Sequence, residues 1–454
     1  MYICHEVGMG IFASLNRSQK ESIGLLQIGT FLEYFDLMLY VHMQVLLNEL
    51  FFPKTDLKTA ALLSALAFSS TYLLRPIGAL IFGYIGDNVG RKATVVITTI
   101  MMSVSCVIMA NLPTYAQVGI SAAWIVTICR IVQGLSSMGE IVGAEIYLTE
   151  TIKVPARYPV VGLMGCAAAV GSFFALFIAS LATTSGFNWR VAFWIGACVA
   201  VVGSIARTRL RETPEFVDAQ RLRKKARDGM IGKIPKSCAS KKKVDKKTII
   251  ACFLIQSGFP ISFFFAYIYC GDILKNRFCY TAEQVIHNNL SVAIMELFGF
   301  LVCVFMSCRI HPLNILKAKA FILFPIVLLL PSILSAINNP AYLLLVQLIC
   351  MFLSLTDIPA SAVYYKYFPT LKRFTYTVFI FALSRAVMYT ITSFLLIYLT
   401  NKFGYWGLQF VMFPVIFGFL WGVYYFEKLE NENENENKNQ YQQQIDTPLS
   451  TKTD

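Results

Sequence analysis

The sequence predicts an all-α integral membrane protein: twelve transmembrane helices in two six-helix bundles. Three observations predict it. Of 454 residues, 56% are hydrophobic and only 14% charged, against roughly 25% charged in a soluble domain. Apolar runs of about 20 residues, enough to cross a ~30 Å hydrocarbon core as a helix, recur along the chain. A basic segment at 207–247 divides those runs six and six. The runs lack the period-two alternation of barrel strands, and a backbone in lipid must otherwise bond within a helix.

Residues 1–22 read as a short N-terminal segment with Arg17 and Lys20. Spans are expected at about 23–47, 59–82, 93–112, 116–147, 159–183 and 190–206, making an N-terminal bundle over 23–206. The first contains Glu33 and Asp36 and reads as a retained span, not a cleavable signal. The small residues Gly162, Gly165, Ala169 and Gly171 in the fifth predict close helix packing. The linker 207–247 is polar and basic. Its bases, Lys241–Lys243 among them, suit either a solvated topology anchor or anionic lipid. Spans at about 248–270, 288–307, 318–337, 340–363, 374–399 and 404–426 make the C-terminal bundle over 248–426. The tail 427–454, with its Asn-Glu repeat and Gln442–Gln444, is low-complexity and expected to be disordered.

The net charge is +13, which in a soluble protein would suggest nucleic acid. Here the bases sit in loops, and no nucleic-acid partner is expected. With both termini cytoplasmic, 30 of the 39 Lys and Arg fall in cytoplasmic segments and six outside, while Arg75, Arg130 and Arg385 fall within spans. Leaving out the linker still leaves 15 against six, so the orientation does not rest on one loop. The twelve Cys are scattered, mostly within apolar runs, with no C-x-x-C. The four His form no H-E-x-x-H or similar pattern. No metal, no cofactor and no enzymatic constellation is expected.

Charges in a bilayer cost at least ~2.5–3.5 kcal/mol each, so they face a cavity or a partner. Glu33 and Asp36 sit three apart on one face of the first span, with Tyr40 continuing that face. Two carboxylates so close resist joint ionisation, which suits a proton site; a structural bond to another helix is the alternative. In the fourth span Arg130, Gln133, Ser137 and Glu140 fall within an arc of roughly 80°. Arg130 suits either a bidentate hold on a substrate carboxylate or neutralisation of Glu33 or Asp36. Glu145, further along, is a weaker candidate. Arg75 before Pro76 suits a kink with its own partner. Glu296, Asp357 and Arg385 are the polar candidates in the C-terminal spans, Asp357 standing two residues before Pro359 where the helix is expected to bend. Between the second and third spans lies Gly83-Tyr-Ile-Gly-Asp87-Asn-Val-Gly90-Arg91-Lys92, a turn expected to use its glycines at positive φ.

That turn resembles the loop 2–3 signature of the major facilitator superfamily, G-x-x-x-D-x-x-G-R-K/R, at Gly83, Asp87, Gly90, Arg91 and Lys92. Within the superfamily the chain resembles the metabolite:proton symporters, which include proline/betaine, α-ketoglutarate, citrate and shikimate transporters. Glu33-Tyr-Phe-Asp36 is similar to that family's E-[WY]-F-D, Phe51-Phe-Pro53 to its F-F-P, and Arg75-Pro-Ile-Gly78 to its R-P-x-G. Gln133 through Ala144 resembles Q-G-x-x-x-G-G-E-x-x-G-A, and Arg211-Glu-Thr-Pro-Glu-Phe216 resembles R-E-T-P-x-F. Phe368-Pro-Thr370 with Arg373-Phe374 is similar to F-P-T-x-x-R-Y. The counterpart of the opening loop is largely gone from Cys308-Arg-Ile-His311, which lacks the Asp and Gly.

The resemblance implies a monomeric proton symporter of a bacterial inner membrane, working by alternating access. Its partners would be membrane lipid and a small carboxylate-bearing substrate, a proline/betaine-type osmolyte before an organic acid. Glu33 and Asp36 would couple the proton, with Arg130, Gln133 and Glu140 as substrate or coupling contacts. Asp87, Arg91, Glu150 and Arg157 would form a cytoplasmic charge network, supported by Gly83, Gly90 and Lys92, that holds one state and breaks in the other. Arg75, Asp357 and Arg385 are secondary candidates. The eroded C-terminal motif leaves a transport-inactive sensor as the alternative.

Overall fold

The structure, a computed structural model, describes residues 15–51, 72–139, 141–182, 188–208, 210–227 and 244–446. Among them there is no strand. Helix α1 (Arg17–Phe51) starts on a reciprocal cap, the Gln19 amide N–H donating to Asn16 Oδ1 at 2.8 Å and the Asn16 N–H to Gln19 Oε1 at 3.0 Å. Next come α2 (Arg75–Asn88), with Pro76 in its first turn, and α3 (Arg91–Asn111). Helix α4 (Ile120–Ser136) passes through a tight turn at Ser137–Gly139 into α5 (Ile141–Thr151), and α6 (Arg157–Ala182) and α7 (Arg190–Arg207) follow.

Beyond α8 (Pro214–Arg227) the chain enters α9, a helical rod over Lys246–Phe278 started by an Asp245 cap on the Lys247 N–H. Then come α10 (Ala282–Ser307), α11 (Pro312–Ala336) and α12 (Pro340–Phe352). The short α13 (Ser361–Tyr365), α14 (Arg373–Thr390) and α15 (Gln409–Asp446) complete the order. Among the described residues seven helices are long and apolar enough to cross a membrane, and 190–205 and 340–352 are shorter apolar helices. The exposed side chains Ile100 and Val104 on α3, and Phe321, Ile322 and Leu329 on α11, are those of faces turned to lipid. The chain is an integral membrane protein.

Small residues set how closely the helices approach. A Cβ on Gly171 of α6 would stand 2.3 Å from the Phe31 carbonyl oxygen of α1. One on Gly162 would stand 2.9 Å from Val304 of α10, and one on Gly165 2.0 Å from Ile358. Helix α6 thus meets α1 with one face and the C-terminal part with the other, as its small residues led us to expect. Gly171→Ala is expected to cost about 1–3 kcal/mol through overpacking; an unchanged thermal midpoint in detergent would contradict this close approach.

Three expectations need correction. The tail is helical as far as Asp446, its remainder lying outside the described residues, and its start is held where Glu430 accepts from Lys366 Nζ (2.8 Å) and the Tyr367 hydroxyl and Asn433 donates to Tyr367 at 2.9 Å. The linker is not solvated throughout: α8 buries Phe216 and Ala219 against Leu371. The Gly83–Lys92 turn is mostly helix, α2 running to Asn88, and only Gly90 has positive φ, at 148°. Gly83 and Gly86 serve contact instead: a Cβ there would lie 2.9 Å from Thr375 and 2.6 Å from the Phe374 ring of α14. The Phe52–Pro53 motif and the first part of the expected second span lie outside the described residues, as do Lys241–Lys243.

Candidate functional site

Glu33 and Asp36 share a face of α1 and are both buried, but they meet different partners. Glu33 Oε2 accepts the Ile141 N–H at 3.1 Å. It thereby caps the start of α5, where an anion is favoured by the helix dipole. Asp36 Oδ1 accepts from Gln133 Nε2 at 3.1 Å and from the Cys106 thiol at 3.3 Å. Arg130 Nη1 lies 3.8 Å from Asp36 Oδ2 and donates to Gln133 Oε1 at 2.8 Å. The structure therefore joins Arg130, Gln133 and Asp36 in one cluster, with the guanidinium beside the acid. The continuous polar face expected on the fourth span ends at Ser136, because Gly139 packs against Thr98 and Glu33 starts a new helix at Ile141. Glu140 and the Tyr40 side chain lie outside the described residues.

A second group of charges surrounds a cavity between the N-terminal and C-terminal parts. Tyr34, Glu145, Glu296, Asp357, Phe381 and Arg385 line it, with Phe259 and Phe300. Its volume of about 30 Å³ admits one or two waters and no metabolite. Asp357 lies in a non-helical stretch after α12, as its nearby proline suggested, and accepts from the Tyr364 hydroxyl at 2.7 Å. Glu296 accepts from Tyr267 at 2.8 Å, and Glu145 from Tyr365 at 2.8 Å. Arg385 donates to the Gln256 carbonyl oxygen and stacks over Phe381, 4.3 Å from the ring centre. Arg75 is also buried and stands 4.4 Å over the Tyr72 ring rather than beside a carboxylate among the described residues.

The third group closes one end of the molecule. Arg91 is fully buried. Its guanidinium meets Asp87 at 3.1 Å, Glu150 at 3.2 Å and the Thr370 carbonyl at 2.7 Å, with the Phe216 ring 4.6 Å away. Asp87 reaches across to the start of α14, accepting from the Phe374 N–H (3.1 Å), the Thr375 N–H (2.9 Å) and the Thr375 hydroxyl (2.6 Å). Glu150 also accepts from Arg373 at 2.9 Å and Thr213 at 2.7 Å, and Arg373 reaches Glu215 at 2.8 Å. Glu212 caps the other helix start, taking the Arg91 and Lys92 N–H groups at 3.0 and 3.3 Å. A Cβ on Gly90 would stand 2.0 Å from that carboxylate. Lys92 thus contributes its backbone.

Arg157, expected beside Glu150, donates instead to the Ile152 carbonyl at 2.7 Å. Helix α6 turns it back onto its own approach, and Arg373 takes the expected place. Sequence reasoning missed Arg373, Thr375, Glu212 and Glu215 as members of this network. All four lie within or beside segments that were singled out as motifs, but no spacing tells which end meets Glu150 or Asp87.

Apolar helices long enough to span a bilayer, charges buried among them, a central cavity and a charged closure at one end define a polytopic helical membrane protein. Residues 26–392 match the Major Facilitator Superfamily, and the chain belongs to it. It is 32% identical over 258 residues to the inner membrane metabolite transport protein YhjE of Escherichia coli, a match covering 55% of this chain and 57% of that protein. It is 26% identical over 341 residues to the proline/betaine transporter of the same organism, covering 72% of this chain and 65% of the relative. The chain thus spans between about half and two thirds of these relatives' length. In fold it is similar to the proton:xylose symporter XylE (TM-score 0.69, 14% identity, 89% of this chain and 93% of that one). It is also similar to the human organic anion transporter MFSD10 (TM-score 0.67, 14% identity, 90% and 100%).

Proposed function

We propose that the chain is a secondary active transporter that carries a small carboxylate-bearing metabolite with a proton. Two six-helix bundles, 23–206 and 248–426, rock about the central cavity, joined by the 207–247 linker. The single observation that carries this is the charged closure. It ties α2, α3 and α5 to α14 at one end of the molecule, next to a cavity shut down to water size. A contact made of many bonds between two bodies is a state to be broken and remade. The excess of bases on that side supports placing this end and both termini in the cytoplasm, and the relative named an inner membrane protein supports that membrane. The protein works as a monomer without cofactor.

Asp36, with Arg130 and Gln133, is the coupling group of this reading, and Glu33 supports α5 beside it. The cavity wall has three carboxylates against one guanidinium, with four aromatic rings. It repels a dicarboxylate and suits an ammonium group held by acids and ring faces. This favours a zwitterionic osmolyte, in line with the names of the proline/betaine transporters among the relatives.

Purified protein in liposomes under an imposed pH gradient, acid outside, is expected to accumulate labelled proline or glycine betaine in preference to citrate or α-ketoglutarate. Accumulation that survives collapse of the gradient would remove the proton from the cycle. A folded protein that takes up none of the four would favour the sensor reading, which the exposed Arg309, outside any such closure, also suits.

A further inference from the structure

Glu145 is buried on α5, yet the role given to Asp36 leaves it unused. Its carboxylate meets a tyrosine hydroxyl, not a base: Tyr365 of α13 donates to Oε2 at 2.8 Å. This bond runs from the N-terminal part to the C-terminal part at the cavity between them. The charged and titratable groups around it can be named element by element. Helix α1 brings Tyr34 to the cavity and uses Glu33 to cap Ile141. Helix α6 brings only Gly165 and Ala168. Helix α10 brings Glu296, the stretch before α13 brings Asp357, and α14 brings Arg385. On its own helix, Glu150 is bound by Arg91 and Arg373.

The nearby bases are committed elsewhere. Arg385 donates to the Gln256 carbonyl, Arg130 lies beside Asp36, and Arg75 lies over Tyr72. Three carboxylates therefore share one small, dry wall with one guanidinium, a crowding of acids in which Glu145 has no base of its own. Among the described residues Glu145 bonds across the two parts, whereas Asp357 meets Tyr364 and Glu296 meets Tyr267, each within the C-terminal part. Behind Tyr365 stands a relay, Gln256 Nε2 lying 3.5 Å from the tyrosine oxygen while the Gln256 carbonyl accepts from Arg385.

We propose that Glu145 is a second proton-binding carboxylate, distinct from Asp36, and that Tyr365 is the group of the opposite part that reads its charge. Ionised, Glu145 draws the Tyr365 hydroxyl and holds α5 to α13. Protonated, it accepts more weakly, and the two parts separate more readily at this point. The proton enters and leaves as H⁺, with no other bond made or broken. The coupling half of the proposal rests on the proton-symport reading; the proton site itself does not.

The test is infrared difference spectroscopy of the full-length, ligand-free protein in liposomes, titrated from roughly pH 5 to pH 9. The native protein is expected to show a protonated-carboxyl band that vanishes as pH rises. Glu145→Gln is expected to lose that band, and Asp36→Asn to keep it. Tyr365→Phe, which removes the donor to the ionised form, is expected to keep the band to higher pH than native. A Glu145→Gln spectrum that titrates like the native one would overturn the proposal, and so would a Tyr365→Phe titration unchanged from native. A band lost in Glu145→Gln, in a protein that shows no gradient-driven uptake, would uphold the proton site while removing the symport reading.

Discussion

Asp87→Asn is expected to slow gradient-driven uptake about tenfold or more, whereas Arg309→Ala is expected to leave it within about twofold. The difference follows from what each side chain touches. Asp87 Oδ2 takes two donors from Thr375, the N–H at 2.9 Å and the hydroxyl at 2.6 Å, while Oδ1 takes the Phe374 N–H and Arg91. An Asn keeps one acceptor and turns an NH₂ towards donors, losing at least one charge-assisted bond worth about 1.5–3 kcal/mol. If that energy holds the closed state, its loss shifts the two-state balance by about tenfold or more, since each 1.4 kcal/mol is a factor of ten. Arg309 is exposed, and the loop around it has neither the acid nor the glycine of its counterpart. Hydrogen exchange supplies a second readout: the Phe374 and Thr375 amides should exchange faster in Asp87→Asn. Equal effects of the two substitutions on uptake would mean that the closure is not the asymmetric lock described here.

Which side chains carry buried charge was legible in the sequence, because an acid or base within an apolar run stands out. Glu33, Asp36, Arg75, Arg130, Asp357 and Arg385 were all found that way, and all are buried. Their partners were not legible. Glu33 binds a backbone N–H 108 residues away, and Arg91 a backbone carbonyl 279 residues away. Backbone groups leave no signature, since every residue has them. Glu145 carries a weaker sequence signal because its significance comes from Tyr365, 220 residues on and in another part of the chain.

Of the glycines, Gly90 takes the positive φ expected of a turn, whereas Gly83 and Gly86 serve close contact. The sequence of Gly83 and Gly86 does not tell a positive φ from a close approach, and here α14 packs directly against α2. The helix running into the tail has a related cause. Asn-Glu repeats have too little apolar surface to fold alone. At the end of α15, however, the helix is already nucleated, so each further residue needs only propagation, which contacts to Lys366 and Tyr367 reinforce.

Arg130→Gln, Asp36→Asn and their combination separate support from coupling in the cluster on α1 and α4. Removing Arg130 alone leaves Asp36 buried beside Gln133 without the guanidinium at 3.8 Å. Breaking a buried pair in this way costs about 3–5 kcal/mol, seen as a lower thermal midpoint in detergent. Neutralising both partners removes the uncompensated charge, so the double variant should recover most of that stability, an interaction the double-mutant cycle measures directly. Transport should behave differently. Asp36→Asn and the double variant carry no titrating group at this position, so both should exchange labelled proline or betaine across the membrane yet fail to accumulate it against a gradient. If Arg130 also holds the substrate carboxylate, Arg130→Gln will in addition raise KM for exchange, a change that Asp36→Asn leaves absent. Full gradient-driven accumulation by the double variant would make this cluster structural alone. The burden of coupling would then pass to Glu145, whose partner is a tyrosine hydroxyl and not a base.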